Sequence, residues 1–504
     1  MTAAGFTLQP AWLAGAASLS LFGLLLVVGA PGGKRWPRLS DDALIAIGAA
    51  VLLAAFAGRE PLPNDNDALY ADVIRAVRQG GHFIALQVNG VPFLDKPPLF
   101  FWLGAAATAM FGESALVLRL PAMVAGVLGV VLVARMARRF TDSRAAGFLA
   151  ASLLLSAPTY FEYARRVYME VPVAVAGLYA CDLGLRERWK RAGLWAGLAF
   201  LLKSVVGLLG VASLVLALLL RRRLPRGVFV AAGVALAVSV PWHVLAYLHD
   251  PAAFLDFTLR LHFVDQIANA QPWSTGGPLF YLSAIASHDS LLGVMMLVGL
   301  LVAARSFRSE RPLHLLVIVI AVVMQILLYS LSATKKPFYV LTAYPFAAIL
   351  GSWAVHRLLG SEPRRIKLGF GLVAAAFVAT CGPLLYPDVD ACESTYLRPL
   401  AERAEMLTPP GRPIFGLDVY LAAPQFYSKR PVIYAVHDER VQRMLSRIPY
   451  LRYAKNVVTW RDELLAGGNL AIAPVSLARA LVARVPGAEI IARNEGFWLV
   501  KGPS

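Results

Sequence analysis

Repeated apolar runs of bilayer-crossing length are the feature that most narrows what this chain can become. A transmembrane helix needs roughly 20 apolar residues, fewer in an irregular bundle. Such runs occur near 10–30, 43–57, 116–134, 145–158, 171–184, 193–203, 205–219, 227–247, 289–304, 313–331, 338–357 and 368–386. The short pair 193–203 and 205–219 reads as a re-entrant hairpin. Across its 504 residues the chain is 58% hydrophobic and 16% charged, against about 45–50% and about 25% in soluble domains. A soluble fold would have nowhere to bury this much apolar surface, and disordered chains are poor in it. The expectation is a polytopic α-helical membrane protein of about 12–13 spans. No cleavable signal peptide is evident, because no basic stretch precedes the first apolar run.

The net charge of +17 then bears on topology, and no nucleic-acid partner is expected. Basic clusters follow every second span: Lys34-Arg35, Arg138-Arg139, Arg186 to Arg191, Arg221 to Arg223, Arg305 to Arg311 and Arg364 to Lys367. In a twelve-span arrangement all six share one side, the cytoplasm by the positive-inside rule. The segments 58–115, 248–288 and 387–504 then face the periplasm. Residues 1–386 read as the membrane domain, with loops 58–115 and 248–288, and 387–504 as a separate, more polar domain. Within the tail, Pro413–Val419 and Asn469–Val475 read as buried strands, Leu477–Val485 as a helix, and Glu489–Val500 as a hairpin turning at Asn494-Glu495-Gly496. A small α/β domain is expected there. In the first loop, 68–79 reads as an amphipathic helix, and Asn89-Gly90 as a turn between two short strands. Phe100-Phe101-Trp102 suits an interfacial helix. Cys381 and Cys392 are either a pair on an oxidising face or two unpaired small apolar residues.

Ionisable groups beside membrane spans are costly and point to function. Asp65, Asp67, Glu170, Arg165, Arg166, Lys203, His262, Lys335 and Lys336 all fall on the outward side, and Lys96 joins them. Lys335-Lys336 break the positive-inside pattern. A single lysine there suits snorkelling; five or six outward cations suit an anionic ligand such as a phosphate. A loop aspartate alone is usually a helix cap, and Asn66 or Asp67 could cap helix 68–79. Beside these cations, an acid also suits a general base for an acceptor hydroxyl or phosphate, with the cations stabilising a lipid phosphate as it leaves. That combination describes glycosyl transfer from a polyprenyl phosphate.

The motifs carry a resemblance. Asn66-Asp67-Ala68-Leu69-Tyr70-Ala71 resembles the acidic "DE…YA" motif in the first periplasmic loop of the bacterial lipid A aminoarabinose transferases. Asn89-Gly90 through Lys96-Pro97-Pro98-Leu99 resembles their "NG…KPPL". Phe111-Gly112-Glu113 with Arg119-Leu120-Pro121 resembles "FGE…RLP". Ser332 to Tyr339 with Pro345 resembles "S…K.P.Y…P". Leu202-Lys203-Ser204 is similar to "LTKG", with Ser204 in place of Gly. The motifs run in order over roughly 43–350.

The resemblance implies the GT-C fold of the polyprenyl-phosphate-sugar glycosyltransferases, which include the protein O-mannosyltransferases. It implies inverting transfer, at the periplasmic face of the bacterial inner membrane, from a polyprenyl-phosphate sugar donor to lipid A or another periplasmic acceptor. Asp65 or Asp67 is the expected base, Asp65 preferred with Asp67 helping. Lys96, Arg166, Lys203 and Lys336 are expected on the donor phosphate. Tyr339, His262 and Tyr70 are expected to line the pocket. Glu170 is the candidate ligand of a divalent metal. Three departures stand out: Asn66 replaces the usual first acid of the pair, Glu170 stands where relatives commonly carry Asp, and the extra span at 10–30 puts the N-terminus outside. A protein hydroxyl is the alternative acceptor, and a lipid flippase or transporter the alternative class.

Overall fold

The computed structural model describes residues 40–59, 61–88, 90–258, 276–309, 311–360, 373, 379–381, 392–420, 422–437 and 457–503. The chain divides into two compact units: Met1–Ala57, Arg119–His243 and Phe263–Pro387 form one, and Gly58–Leu118, Val244–His262 and Asp388–Ser504 the other. Among the described residues, the helical segments Ala115–Thr141, Trp189–Leu220, Gly227–His249, Leu313–Leu331 and Pro337–Leu359 are long and apolar enough to cross a membrane. Leu99–Phe111, Arg144–Leu155 and Ser290–Ser306 are shorter apolar helices. The protein is a polytopic helical membrane protein, as the apolar runs require. The run at 10–30 lies outside the described residues, as does most of 368–386.

The first unit is organised on the helix Glu170–Leu185, which is buried along almost its whole length. It shows no polar face, as expected of a helix enclosed on all sides. Its two acids sit about eight-tenths of its length apart and both are compensated. Near the C-terminal end, Asp182 has a side chain only 2% exposed and pairs with Arg139 and Arg186. Asp41 and Asp42 open the helix Asp41–Ala54 and take Arg144, Arg138 and Arg135. Much of the basic charge described on that side is therefore matched locally.

Small residues let these helices approach closely. A Cβ at Gly210 would lie 2.5 Å from the Gly177 carbonyl oxygen, and one at Gly193 would lie 2.3 Å from the Ala231 oxygen. The segment 189–220 does not run straight. Ser204 ends the helix Trp189–Lys203 at φ 50° and ψ −139°. A 3₁₀ turn, Ser204–Leu208, leads into the helix Leu209–Leu220. Lys203 meets Glu170 at the start of the central helix, whereas Gly210 meets Gly177 and Leu214 meets Gly184 further along it. The chain therefore doubles back at Ser204, as the hairpin reading of 193–219 expects.

In the second unit, helix Asn66–Gly80 is capped by Asp65 and ends at Gly81 in the left-handed conformation, φ 68°. The hairpin pairs β1 (Gln87–Val88) with β2 (Val91–Pro92), antiparallel, and Gly90 supplies the turn's positive φ of 75°. Tyr70, Phe93 and Phe101 pack edge-to-face, with Phe257 against Phe93.

The tail contributes a six-stranded mixed sheet, built from β3 (Ile414–Leu417), β4 (Val432–Val436), β5 (Val457–Thr459), β6 (Leu470–Pro474), β7 (Glu489–Arg493) and β8 (Phe497–Lys501). The order is β5-β4-β3-β6-β8-β7, parallel from β5 to β6 and antiparallel beyond. Each residue of β3 is buried, as expected of a central parallel strand covered on both faces.

The tail and the first loop belong to one body. Helix Ala422–Ser428, between β3 and β4, packs on helix Asn66–Gly80. The Tyr427 hydroxyl accepts from Leu62 N–H at 2.8 Å, and Gln425 donates to Asp72 at 2.6 Å. Arg75 donates to the Phe426 carbonyl at 2.6 Å, stacks 4.0 Å over the Phe426 ring, and pairs with Glu113 at 2.6 Å. Burial alone would raise the Glu113 carboxyl, but the Arg75 guanidinium holds it below the usual range. Cys181, Cys381 and Cys392 are all buried and form no disulfide among the described residues; Cys381 belongs to the first unit and Cys392 to the second.

The glycine seam gives a direct check. Gly210→Val overpacks a backbone contact and is expected to cost about 1–3 kcal/mol. Gly233→Ala, where an added Cβ meets nothing within 4 Å, is expected to leave thermal unfolding in detergent unchanged or slightly raised. Equal losses at both positions would contradict the seam.

Candidate active site

Asp65, Asp67, Tyr70 and Lys96 belong to the second unit; Arg166, Glu170, Lys203, Lys336 and Tyr339 belong to the first. His262 lies outside the described residues.

In the second unit, Asp65 is the N-cap of helix Asn66–Gly80: its Oδ1 accepts from the Asp67 backbone N–H at 2.8 Å. The capping role, considered for Asn66 or Asp67, falls instead to the aspartate preferred as base. Asp65 remains half-buried, whereas Asp67 is 0% exposed. The residue before them is clamped to the tail. Asn64 donates to Glu393 at 3.1 Å and accepts from Ala423 N–H at 2.8 Å. Lys96 Nζ lies 2.8 Å from Asp95 Oδ2. Tyr70 is buried in the aromatic knot with Phe93 and Phe101.

In the first unit, Glu170 occupies the first turn of its helix and Lys203 the last turn of its own, each at the end where the helix dipole favours its charge. Lys203 Nζ donates to Glu170 Oε1 at 2.6 Å and lies 5.1 Å from the centre of the Tyr339 ring. Arg166 pairs with Glu162 at 3.1 Å and lies over Tyr168 at 5.0 Å and Tyr163 at 5.5 Å. Lys336 lies 5.7 Å from the Phe338 ring, which itself contacts Tyr163 and Tyr168. Phe338 touches Tyr339 at 5.2 Å. An aromatic strip therefore joins Arg166, Lys336 and Lys203, three of the four cations expected on a phosphate.

The remaining outward cations serve helix ends. Arg165 donates to the Ala55 carbonyl at 2.5 Å, and Lys335 donates to the Ser332 carbonyl just beyond Leu313–Leu331. Cations near helix C-termini offset the exposed carbonyls there.

Glu170 does not fit the metal-ligand role assigned from sequence. Its Oε1 is held by a lysine, and no group of three His, Cys, Asp or Glu converges among the described residues. A lone carboxylate already neutralised by an ammonium is a poor divalent-ion site.

Sequence reasoning missed several polar groups here. Gln325 sits within Leu313–Leu331, is 0% exposed, and neither end of its amide has a partner among the described residues. One turn on, Tyr329 stacks between Tyr339 at 6.2 Å and Tyr281 at 5.9 Å. A single amide amid an apolar run was the visible signal. Buried Asp289 accepts from Thr159 N–H at 3.0 Å, Thr159 Oγ1 at 2.6 Å and Tyr344 hydroxyl at 2.7 Å; its bonds tie three segments together.

Comparison with known proteins bears on the fold. A family model described as dolichyl-phosphate-mannose-protein mannosyltransferase matches residues 95–245. The chain is 26% identical over 375 residues to the undecaprenyl phosphate-alpha-4-amino-4-deoxy-L-arabinose arabinosyl transferase 2 of Pseudomonas fluorescens, covering 70% of this chain and 62% of that relative. The crystal structure of ArnT from Cupriavidus metallidurans bound to undecaprenyl phosphate superposes with a TM-score of 0.74 at 18% identity, covering 91% of this chain and 97% of that one. The Archaeoglobus fulgidus oligosaccharyltransferase in its apo form gives a TM-score of 0.60 at 13% identity, covering 79% and 65%. The fold is that of these two solved structures, and the chain is similar in sequence to the Pseudomonas transferase, of which it spans 62% of the length.

Ser204, beside Lys203, holds a backbone conformation that favours glycine, at the position where the resembling motif has glycine. Strain of about 1–3 kcal/mol is usual for such a residue, part of it offset by the entropy a glycine would lose. Ser204→Gly is therefore expected to raise the unfolding temperature, corresponding to about 1 kcal/mol. A lowered unfolding temperature would contradict the left-handed turn.

Proposed function

We propose that this chain is a bacterial inner-membrane glycosyltransferase that moves a sugar from an undecaprenyl-phosphate donor to lipid A at the periplasmic face, with inversion at the anomeric carbon. The aromatic strip joining Arg166, Lys336 and Lys203 is the observation that carries the reading. It offers a phosphate several cations on elements that the apolar helices hold beside the lipid phase.

The orientation follows from charge. Asp182 with its arginines lies near the opposite end of the central helix from Glu170 and Lys203, roughly 18 Å away at 1.5 Å per residue. The arginine-rich end is cytoplasmic by the positive-inside rule. The Glu170 end, with the phosphate-binding cations, is then periplasmic.

In the reaction the acceptor oxygen attacks the anomeric carbon from the side opposite the phosphate. Its proton passes to Asp65, which Asp67 N–H orients through Oδ1. The bond from the anomeric carbon to the phosphate oxygen breaks as the new glycosidic bond forms. Negative charge grows on the departing polyprenyl phosphate, and Arg166, Lys203 and Lys336 of the first unit stabilise it there. Lys203 would exchange its bond to Glu170 for one to phosphate. The name of the Pseudomonas relative supports an amino-deoxy pentose as the sugar. The family model over 95–245 favours a second reading, in which the acceptor is a protein hydroxyl.

Mass spectrometry of lipids from cells with and without the gene separates these. A mass shift on lipid A that disappears in the deletion is expected. Unchanged lipid A with altered glycoproteins would overturn the acceptor. Asp65→Asn is expected to reduce transfer by about 10²–10⁴-fold, the usual contribution of a general base. Full activity in both Asp65→Asn and Asp67→Asn would contradict the base assignment.

A further inference from the structure

The first unit contains polar atoms that the proposed chemistry does not use. Glu170 is 5% exposed, and its Oε2 has no hydrogen-bond partner among the described residues, although Oε1 is held by Lys203. Tyr281 is 0% exposed, and its hydroxyl has no hydrogen-bond partner among the described residues. Gln325 is buried with both amide ends unmet among the described residues. Each such group costs on the order of 1–3 kcal/mol when buried and unpaired.

These atoms belong to one seam. Glu170 lies within electrostatic reach of Tyr329. Tyr329 stacks between Tyr339 and Tyr281, and Gln325 is one helical turn from it on the same face. Lys203 closes the seam at its Glu170 end, over Tyr339.

The seam's chemistry is specific. A phosphate on Oε2 itself would be repelled, since among the described residues only the Lys203 side of Glu170 carries positive charge. A neutral hydroxyl would satisfy Oε2 only with an ordinary hydrogen bond, with no opposite charge against the carboxylate. A carboxylate oxygen without a donor among the described residues, at the end of a seam lined by tyrosine rings, favours a second cation: charge-assisted hydrogen bonds are roughly twice as strong as neutral ones, and ring faces attract ammonium groups. Gln325 and Tyr281 then supply donors and acceptors for ring hydroxyls.

We propose that the Glu170–Tyr329–Tyr281–Gln325 seam holds the sugar of the lipid-linked donor, and that Glu170 is the specificity-determining residue, reading a protonated amino group on that sugar through Oε2. This rests on the donor reading above and adds which residues select the sugar.

Binding to the full-length protein in nanodiscs tests it without requiring turnover. Three ligands are compared: undecaprenyl phosphate alone, undecaprenyl phosphate carrying an amino-deoxy pentose, and the same donor with hydroxyl in place of the amine. The wild type is expected to bind the amino donor about tenfold to 100-fold more tightly than the hydroxyl donor, as for a site with a dedicated polar partner. Glu170→Gln is expected to bring the two within about threefold while retaining affinity for undecaprenyl phosphate alone, which also reports that the variant is folded. Gln325→Leu is expected to weaken both sugar donors and preserve the amine preference. No preference in the wild type, with undecaprenyl phosphate still bound, overturns the inference and leaves the donor reading standing. Preference retained in Glu170→Gln overturns the role of Glu170. No binding of undecaprenyl phosphate by folded wild type overturns both.

Discussion

The buried ion pair between Glu170 and Lys203 is the interaction around which the membrane unit is arranged. It joins the first turn of one helix to the last turn of the next, and both side chains are nearly closed off from solvent. Desolvating two charges is costly, and removing one partner of a buried pair typically costs about 3–5 kcal/mol. A fold adopts such a pair where geometry satisfies it. Here the helix dipoles favour both charges, the glycine contacts bring the helices together, and the turn at Ser204 sends the chain back along Glu170–Leu185. The same central helix is compensated by arginines at Asp182, so its charges are paired and its apolar middle can lie within a bilayer.

Charge elsewhere sorts by the same logic. Arginines pair with Asp41, Asp42 and Asp182 at one end of the unit. Arg165 and Lys335 spend their donors on helix-end carbonyls. Arg166, Lys203 and Lys336 rest on aromatic faces that adjoin one another, and Arg166 and Lys203 also pair with Glu162 and Glu170.

The sequence made much of this legible where a local rule sufficed. Apolar length marked the membrane helices. Helical spacing marked Asn66–Gly80, Asn89-Gly90 marked the β1–β2 turn, and Asn494-Glu495-Gly496 marked the turn between β7 and β8. What escaped depends on long-range contact. Strands β4 and β5 and the helix Ala422–Ser428 are short, and tertiary packing defines them. The clamp of Asn64 by Glu393 and Ala423 spans over 300 residues of chain. Asp65 was singled out for chemistry, and its capping of Asn66–Gly80 shows that one carboxylate can satisfy a helix end and still be the reachable acid beside buried Asp67. Glu170 was read as a metal ligand because its partner Lys203, 33 positions away, cannot be placed beside it from spacing alone.

The account rests on cations that receive the donor phosphate and on an acid that activates the acceptor. Its most direct test is transfer by purified full-length protein in nanodiscs, supplied only with an undecaprenyl-phosphate amino-pentose and lipid A. The account predicts one undecaprenyl phosphate released for each glycosylated lipid A, with the anomeric configuration inverted. Folded protein that binds undecaprenyl phosphate yet releases no product, or that forms product with retained configuration, would contradict it.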